Sequence, residues 1–468
     1  MQIHAGVFNI NSESPSFSFS GIFMQSKNTI GYFRLLRQNP AFRNLWYGQV
    51  VSELGDWLNS IAIYALILKL SDSGMAMAGA MMAKLLPIVL VSPIAGVVVD
   101  RVSRKTVMII SDLLRCGVVL GFLLVEDQNT LWLVYALVIV EISLSGFFEP
   151  ARSAIIPSLV PKKDLVTANA LSGSTWSVML AFGAALGGVV VHVFGIKTAF
   201  ILDASTFLLS AWFISKIPTQ KTSLEKGSPK QTGYQEFLDS LRYLWSEPLV
   251  LVLSLLKAGL AVAGGIMTLI PLMASQVLSG SLSLGIGILY SARGLGAALG
   301  PVLVRRIFGE SSAVLQWAIA GAFFLKAFSY LFIAHSHSIW TLSLGVGLAT
   351  LFGSIIWVFS SALIHLSAPD SYLGRVFSFE LALLTLVMGF SNWGVGFAVD
   401  EWNLNVSQIA LWMAGLVAIP GVLWSGFLIF VQNKLKQGKC VGSVCPVDPS
   451  GFNPTSNAGD RKVQVDVK

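Results

Sequence analysis

Charge is scarce in this sequence: Asp, Glu, Lys and Arg make up 12% of residues, against 54% hydrophobic ones. A soluble globular domain carries about twice that share of charge, so the composition excludes one. Cysteine is nearly absent. Cys116 lies in an apolar run, and Cys440 and Cys445 sit in the tail, too few for a disulfide framework or a closed zinc site. The five histidines, His4, His192, His335, His337 and His365, are scattered. There is no paired-His metal motif, phosphate-binding Walker loop or Gly-x-Ser-x-Gly elbow, so the chain is not expected to be an enzyme or to use a cofactor or metal. The leading residues, rich in Ser and Phe, lack the basic start and apolar core of a signal peptide. Residues 1–39 are expected to be disordered and cytoplasmic, with Met24 as an alternative start.

What the chain has instead is apolar length. Mean hydropathy is +0.72. Twelve runs reach the roughly 20 residues that cross a bilayer: 42–69, 76–99, 105–125, 131–151, 166–194, 198–216, 248–275, 283–304, 312–334, 339–364, 372–399 and 406–432. The fold class is therefore an all-α membrane protein with twelve transmembrane helices. Their connections alternate in charge. The loops after spans 2, 4, 6, 8 and 10 hold Arg101, Arg104, Lys105, Arg152, Lys162, Lys163, Lys216, Lys221, Lys226, Lys230, Arg242, Arg305, Arg306 and Arg375, whereas the opposite side has little beyond Lys69 and Lys197. Basic loops stay on the cytoplasmic side, which puts both termini inside, in a membrane of the bacterial cytoplasmic type. The net charge of +7 is then a topology signal, and no nucleic-acid partner is expected.

A polar connector over 218–247, ending in an amphipathic stretch from Tyr234 to Trp245, divides the spans six and six. The flanking bundles are expected over 40–217 and 248–432, with a disordered cytoplasmic tail over 433–468. The two halves match each other. Ser153-Ala-Ile-Ile-Pro-Ser-Leu-Val-Pro161 lies over Ser361-Ala-Leu-Ile-His-Leu-Ser-Ala-Pro369, and at the same offset Trp132 lies over Trp340 and Leu165 over Leu373. Parallel repeats of this kind form two bundles with a site between them near the midplane.

Between spans 2 and 3 runs Gly96-Val-Val-Val-Asp100-Arg101-Val-Ser-Arg104-Lys105. This hairpin resembles the signature loop of the major facilitator superfamily, with Ser103 in place of its second glycine. The stretch from Phe148-Glu-Pro150-Ala-Arg152 through Ala168-Asn169-Ala-Leu171 is similar to the loop and helix 5 start of the enterobactin-exporter and macrolide-efflux branch. So are Leu54-Gly55-Asp56-Trp57 in helix 1 and Ser111-Asp112-Leu-Leu-Arg115 in helix 3. Gly183-Ala-Ala-Leu-Gly187-Gly188 resembles an antiporter element with Ala184 in place of proline, and small residues of this kind let helices approach closely. The resemblance implies a two-bundle facilitator fold and a monomeric, proton-coupled exporter. In the gating loop it implies that Asp100 meets the start of helix 11 at Gly374-Arg375 while Arg101 and Arg104 hold acids.

Ionisable residues inside the spans are costly and are retained for pairing or function. The first half has Glu53, Asp56, Asp112, Arg115, Glu141 and Asp203; the second has Lys257, Arg293, Lys326 and Glu380. One half is acid-rich and the other base-rich. Glu53, Asp56 and Ser60 recur at helical spacing and mark a polar stripe toward the bundle interior. A carboxyl in low dielectric is easier to protonate, so Asp56, Glu53, Glu141 and Glu380 are the proton-coupling candidates. Asp112 and Arg115, three apart on one helix, are expected to neutralise each other. Arg293 has no local acid and suits either a substrate carboxylate or a bridge to Glu380. Trp57, Asn59, Trp176, Arg293 and Trp357 are the candidate cavity residues. The expected cargo is a small amphiphilic molecule: a siderophore, a macrolide-like drug or another secondary metabolite. A lysophospholipid transporter and a non-transporting sensor remain as alternatives.

Overall fold

The computed structural model describes residues 31–71, 73–218, 244–308 and 311–437, with the Asp100 side chain and a few others at helix ends outside that description. Twelve helical segments are long and apolar enough to cross a membrane. In chain order they are α1 (Pro40–Leu70), α2 (Gly74–Arg101), α3 (Arg104–Gly121), α4 (Leu131–Leu159), α5 (Leu165–Phe194), α6 (Ile196–Ser215), α7 in two pieces (Pro248–Ala261 and Ile266–Val277), α8 (Leu282–Phe308), α9 (Ser312–Ala334), α10 (Ile339–Ser367), α11 (Asp370–Asp400) and α12 (Val406–Lys436). No strand occurs among the described residues. The segment Tyr32–Gln38, expected to be disordered, is a short helix that buries Leu35, and Leu35 belongs to an apolar cluster with Phe42, Leu45 and Val99. The amphipathic stretch expected from Tyr234 lies mostly outside the described residues.

Helix starts follow local chemistry. Asn39 Oδ1 accepts from Phe42 N at 2.9 Å with Pro40 in the first turn, and Ser73 Oγ accepts from Ala76 N at 3.1 Å, each satisfying a donor the helix leaves orphaned. α7 is broken at Val262–Gly265. A break in the apolar core requires substitute partners for its backbone, and neighbouring helices supply them. Ser391 Oγ of α11 donates to Val262 O (2.6 Å) and accepts from Gly265 N (2.9 Å), and Tyr330 of α9 donates to Ala263 O (3.1 Å). Pro271, having no N–H, leaves Met267 O without its helical partner. Tyr290 of α8 takes that carbonyl at 3.3 Å.

Within the first half α1 packs on α5 and α6, α2 on α4, and α3 on α4 and α6. Within the second, α8 and α9 pack on α10, and α9 on α12. The halves meet along two antiparallel pairs, α5 with α8 and α2 with α11. At the first pair, backbone rests on backbone. A Cβ on Gly188 would sit 2.7 Å from Ser283 O, and one on Gly287 would sit 2.7 Å from Ala184 O. Gly183 and Gly187 serve a different contact and pack α5 on Trp57 and Ile61 of α1. At the second pair Asp400 caps α2. Its carboxylate accepts from Ser73 Oγ (2.5 Å), Gly74 N (2.7 Å) and Met75 N (2.9 Å). A further bond across the seam, Ser291 Oγ to Ala181 O at 2.7 Å, lies near mid-depth. Among the described residues all of these bonds lie between mid-depth and the face opposite the charged hairpin. On the hairpin face Gly96 and Gly374 have open space around them. Among the described residues the bonds across the seam thus fall on one face.

Candidate functional site

The polar stripe of α1 organises the centre of the molecule. Glu141 of α4 is buried, and both its carboxylate oxygens accept from Asn59 Nδ2 at 2.9 Å. Asn59, expected on the cavity wall, is therefore a buried holder of Glu141, because a carboxylate in the interior demands donors. Arg115 of α3 donates to Asp112 at 2.5 Å, and Ser210 Oγ donates to the other Asp112 oxygen at 2.7 Å. The guanidinium lies over the Phe148 and Phe207 rings, 4.7 and 4.3 Å from their centroids. The local neutralisation expected for Asp112 and Arg115 is present, but it is shared: Asp56 approaches the same guanidinium at 3.8 Å. The Asp56 side chain keeps 40% of its surface accessible, whereas Arg115 keeps 2%. Asp203 of α6 is fully buried beside Gly55. One of its oxygens accepts from Thr206 Oγ1 at 3.2 Å and the other has no hydrogen-bond partner. Glu53 sits one turn toward the hairpin face and accepts from Gln49 Nε2 at 2.8 Å.

The cationic half is arranged differently from the expectation. Glu380 does not bridge to Arg293. It accepts from Lys257 Nζ at 2.7 Å, deep inside the second half, and Lys257 also donates to Ser361 Oγ at 2.7 Å and lies 4.7 Å from the Trp357 ring. Glu380 is thus already paired. Lys326 is buried and donates to Ala349 O at 2.9 Å. Arg293, half-buried, lies 5.7 Å from the Tyr290 ring. Trp57 reaches across the seam to Tyr290, with centroids 5.7 Å apart. Trp176 and Trp357 are each nearly half exposed and are not part of this aromatic contact.

In the loop signature, Arg101 is exposed. Arg104, expected to hold an acid, donates instead to Ala154 O at 2.8 Å. Lys105 donates to Ser215 O and Ile217 O, both at 2.6 Å. These bases tie the hairpin to the last turns of α4 and to the end of α6 within their own half, where the terminal carbonyls of α6 need donors. Arg375 lies over Tyr372 at 5.6 Å. The contact expected of Asp100 lies outside the described residues.

Three participants escaped the sequence reading. Lys84 of α2 donates to Ser60 Oγ (2.7 Å) and Tyr64 OH (3.2 Å), and Tyr64 stacks on Tyr290 across the seam with centroids 5.6 Å apart. A lysine ten residues into an otherwise uncharged stretch was the available signal for Lys84. The two tyrosines had none, because an aromatic in an apolar run reads as packing.

A family model described as transmembrane secretion effector, MFS_3, matches residues 31–439. An uncharacterized MFS-type transporter of Bacillus subtilis, YfiS, is 27% identical, covering 86% of this chain and 100% of its own. The putative bacilysin exporter BacE of Bacillus subtilis is 25% identical over 85% of this chain and 94% of its own. The enterobactin exporter EntS of Shigella boydii is 24% identical over 73% and 81%. Among solved structures, the nucleoside transporter NupG superposes with a TM-score of 0.64 at 12% identity, covering 83% of this chain and 99% of that one, a likeness of fold.

Proposed function

Because this chain belongs to the major facilitator superfamily, in its family of transmembrane secretion effectors, we propose that it exports a small amphiphilic organic molecule by alternating access, driven by a proton exchanged at Asp56. The hairpin face is the cytoplasmic one on the charge bias of the loops, and with the described seam bonds confined to the opposite face we read the state as inward-open. The observation that carries the reading is the contrast between Asp56 and the other acids. Glu141 is sealed with Asn59, Asp112 with Arg115 and Ser210, and Glu380 with Lys257. Asp56 alone among these four meets open space while sharing a guanidinium that Asp112 already holds more closely.

That arrangement suits proton exchange. Ionised Asp56 competes with Asp112 for Arg115; protonated Asp56 releases it. The exchange therefore shifts the position of a buried cation wedged between helices 3, 4 and 6, and a shift of packed elements is how a local charge change acquires a global readout. One proton falling through about 100 mV supplies about 2.3 kcal/mol, a concentration ratio of some tens. The exporter relatives, named for bacilysin, macrolides and enterobactin, support the outward direction and the cargo class: siderophores, macrolide-like drugs or other secondary metabolites.

The test is proteoliposomes enclosing a pH-sensitive dye, with an imposed proton gradient and a screen of siderophores, macrolides and lysolipids. Substrate-dependent proton flux in the wild type that disappears in Asp56→Asn supports the reading. Transport that persists unchanged in Asp56→Asn, or with the gradient collapsed, refutes it.

A further inference from the structure

Lys84, Arg293 and Lys326 are cations within the spans that have no carboxylate at ion-pairing distance among the described residues. They are not equivalent. Lys326 is sealed inside the second half against a carbonyl. Lys84 and Arg293 are only half-buried and belong to opposite halves.

Between them the two halves touch through aromatic rings. The Lys84 ammonium lies 4.8 Å from the Tyr64 ring, Tyr64 stacks on Tyr290 at an interplanar angle of 22°, and the Arg293 guanidinium lies 5.7 Å from the Tyr290 ring. Trp57 leans on the same Tyr290 ring. A guanidinium cannot shed its proton in a protein, so Arg293 requires water or an anion at its free edge. An ammonium has three donors; two of those on Lys84 go to Ser60 and Tyr64, and one is unassigned. Neither cation has an acid at ion-pairing distance among the described residues: Glu141 accepts from Asn59, and Asp56 approaches Arg115 at 3.8 Å.

We propose that Lys84 and Arg293 form a split anion receptor, one cation from each half, for an aromatic or otherwise apolar organic acid whose body packs on the half-buried Trp57 ring, the buried Tyr64–Tyr290 stack standing between the two cations. The inference rests on reading the seam as the transport cavity and adds the charge class of the cargo. A carboxylate or catecholate is attracted by both cations, and its apolar body matches the Trp57 face. A cationic amphiphile meets like charge there. Because each half contributes one cation, the ligand holds the halves together while it is bound.

The test is equilibrium binding without any proton gradient. The protein in phosphatidylcholine nanodiscs is titrated with dansyl-phenylalanine and with its carboxamide, which differ in charge and share the apolar body; empty nanodiscs give the background. The acid is expected to bind about tenfold or more tightly than the amide. Lys84→Met and Arg293→Met each abolish that preference, and Lys84→Arg retains it. Folding of each variant is checked by helicity and by elution as a single species. Equal binding of acid and amide, absence of binding to folded wild type, or a preference unchanged in both methionine variants overturns the proposal. Loss of the acid's binding in phosphatidylglycerol nanodiscs reassigns the receptor to a lipid headgroup and overturns it as a cargo site. If the acid preference holds while Asp56→Asn leaves proton flux intact, the proton-coupling reading fails and the receptor stands.

Discussion

Replacing Asp400 by asparagine is expected to unlatch the face of the molecule that is shut. The Asp400 carboxylate closes the second half on the first through one hydroxyl and two backbone N–H groups at the start of α2. Asparagine preserves volume but replaces one accepting oxygen with a donor that faces a donor. The loss is a hydrogen bond to a charged acceptor, about 1.5–3 kcal/mol, with the carboxylate's attraction to a helix N-terminus, about 0.3–1 kcal/mol, in addition. Taken at about 2–3 kcal/mol, that shifts the equilibrium between closed and open on this face by roughly 30- to 140-fold, since about 1.4 kcal/mol is a factor of ten. The assay is a pulsed dipolar distance between nitroxides at Lys69 and Trp402, both exposed on this face and in opposite halves. In the wild type one short-distance population dominates. In Asp400→Asn a longer population should appear and become the major one, and Ser73→Ala should shift it in the same direction by less. A distance distribution identical to wild type in Asp400→Asn, with the protein folded, refutes the assignment of a latch.

Other outcomes follow from the same contacts. Gly287→Ala places a methyl 2.7 Å from Ala184 O and 2.9 Å from the Gly188 Cα; it should slow transport at least about tenfold while the protein still melts cooperatively, because backbone cannot yield as a side chain can. Glu380→Gln leaves Lys257 buried without its partner and should cost about 3–5 kcal/mol, read as a lower melting temperature in detergent. Pairing it with Lys257→Met should restore most of that stability. Asn59→Leu removes the amide that donates to both Glu141 oxygens and should destabilise the first half by about 1–3 kcal/mol, with substrate binding affected less than proton flux.

The spans and the charged hairpin were legible because they are one-dimensional features: a run of apolar residues is long enough or it is not, and basic residues fall in alternate loops. Asp112 with Arg115 was legible for the same reason, being neighbours on one helix turn. Pairings across the chain were not. Lys257 and Glu380 meet because α7 packs on α11, and nothing in either segment selects that partner over Arg293. Asn59 falls on the polar stripe, yet only the position of α4 turns it toward Glu141 and away from the cavity. The break in α7 left a trace in Gly264-Gly265, but the run over 248–275 read as continuous because its hydropathy never falls. The residues that satisfy the break, Ser391 and Tyr330, lie on other helices.

The approach of α5 to α8, from Gly188 and Gly287 down to Ala181 and Gly294, rests largely backbone on backbone. Two smooth surfaces of main chain are suited to a bearing: under alternating access they would locate the axis about which the halves turn without recording which molecule is carried. In the proposed receptor, recognition falls elsewhere, to Lys84 of α2, Trp57 of α1 and Arg293 of α8. A chain divided in this way can have its cargo rewritten by substitutions at those rings and charges while the rotation they ride on is left untouched, so the hinge and the selectivity are separable inheritances.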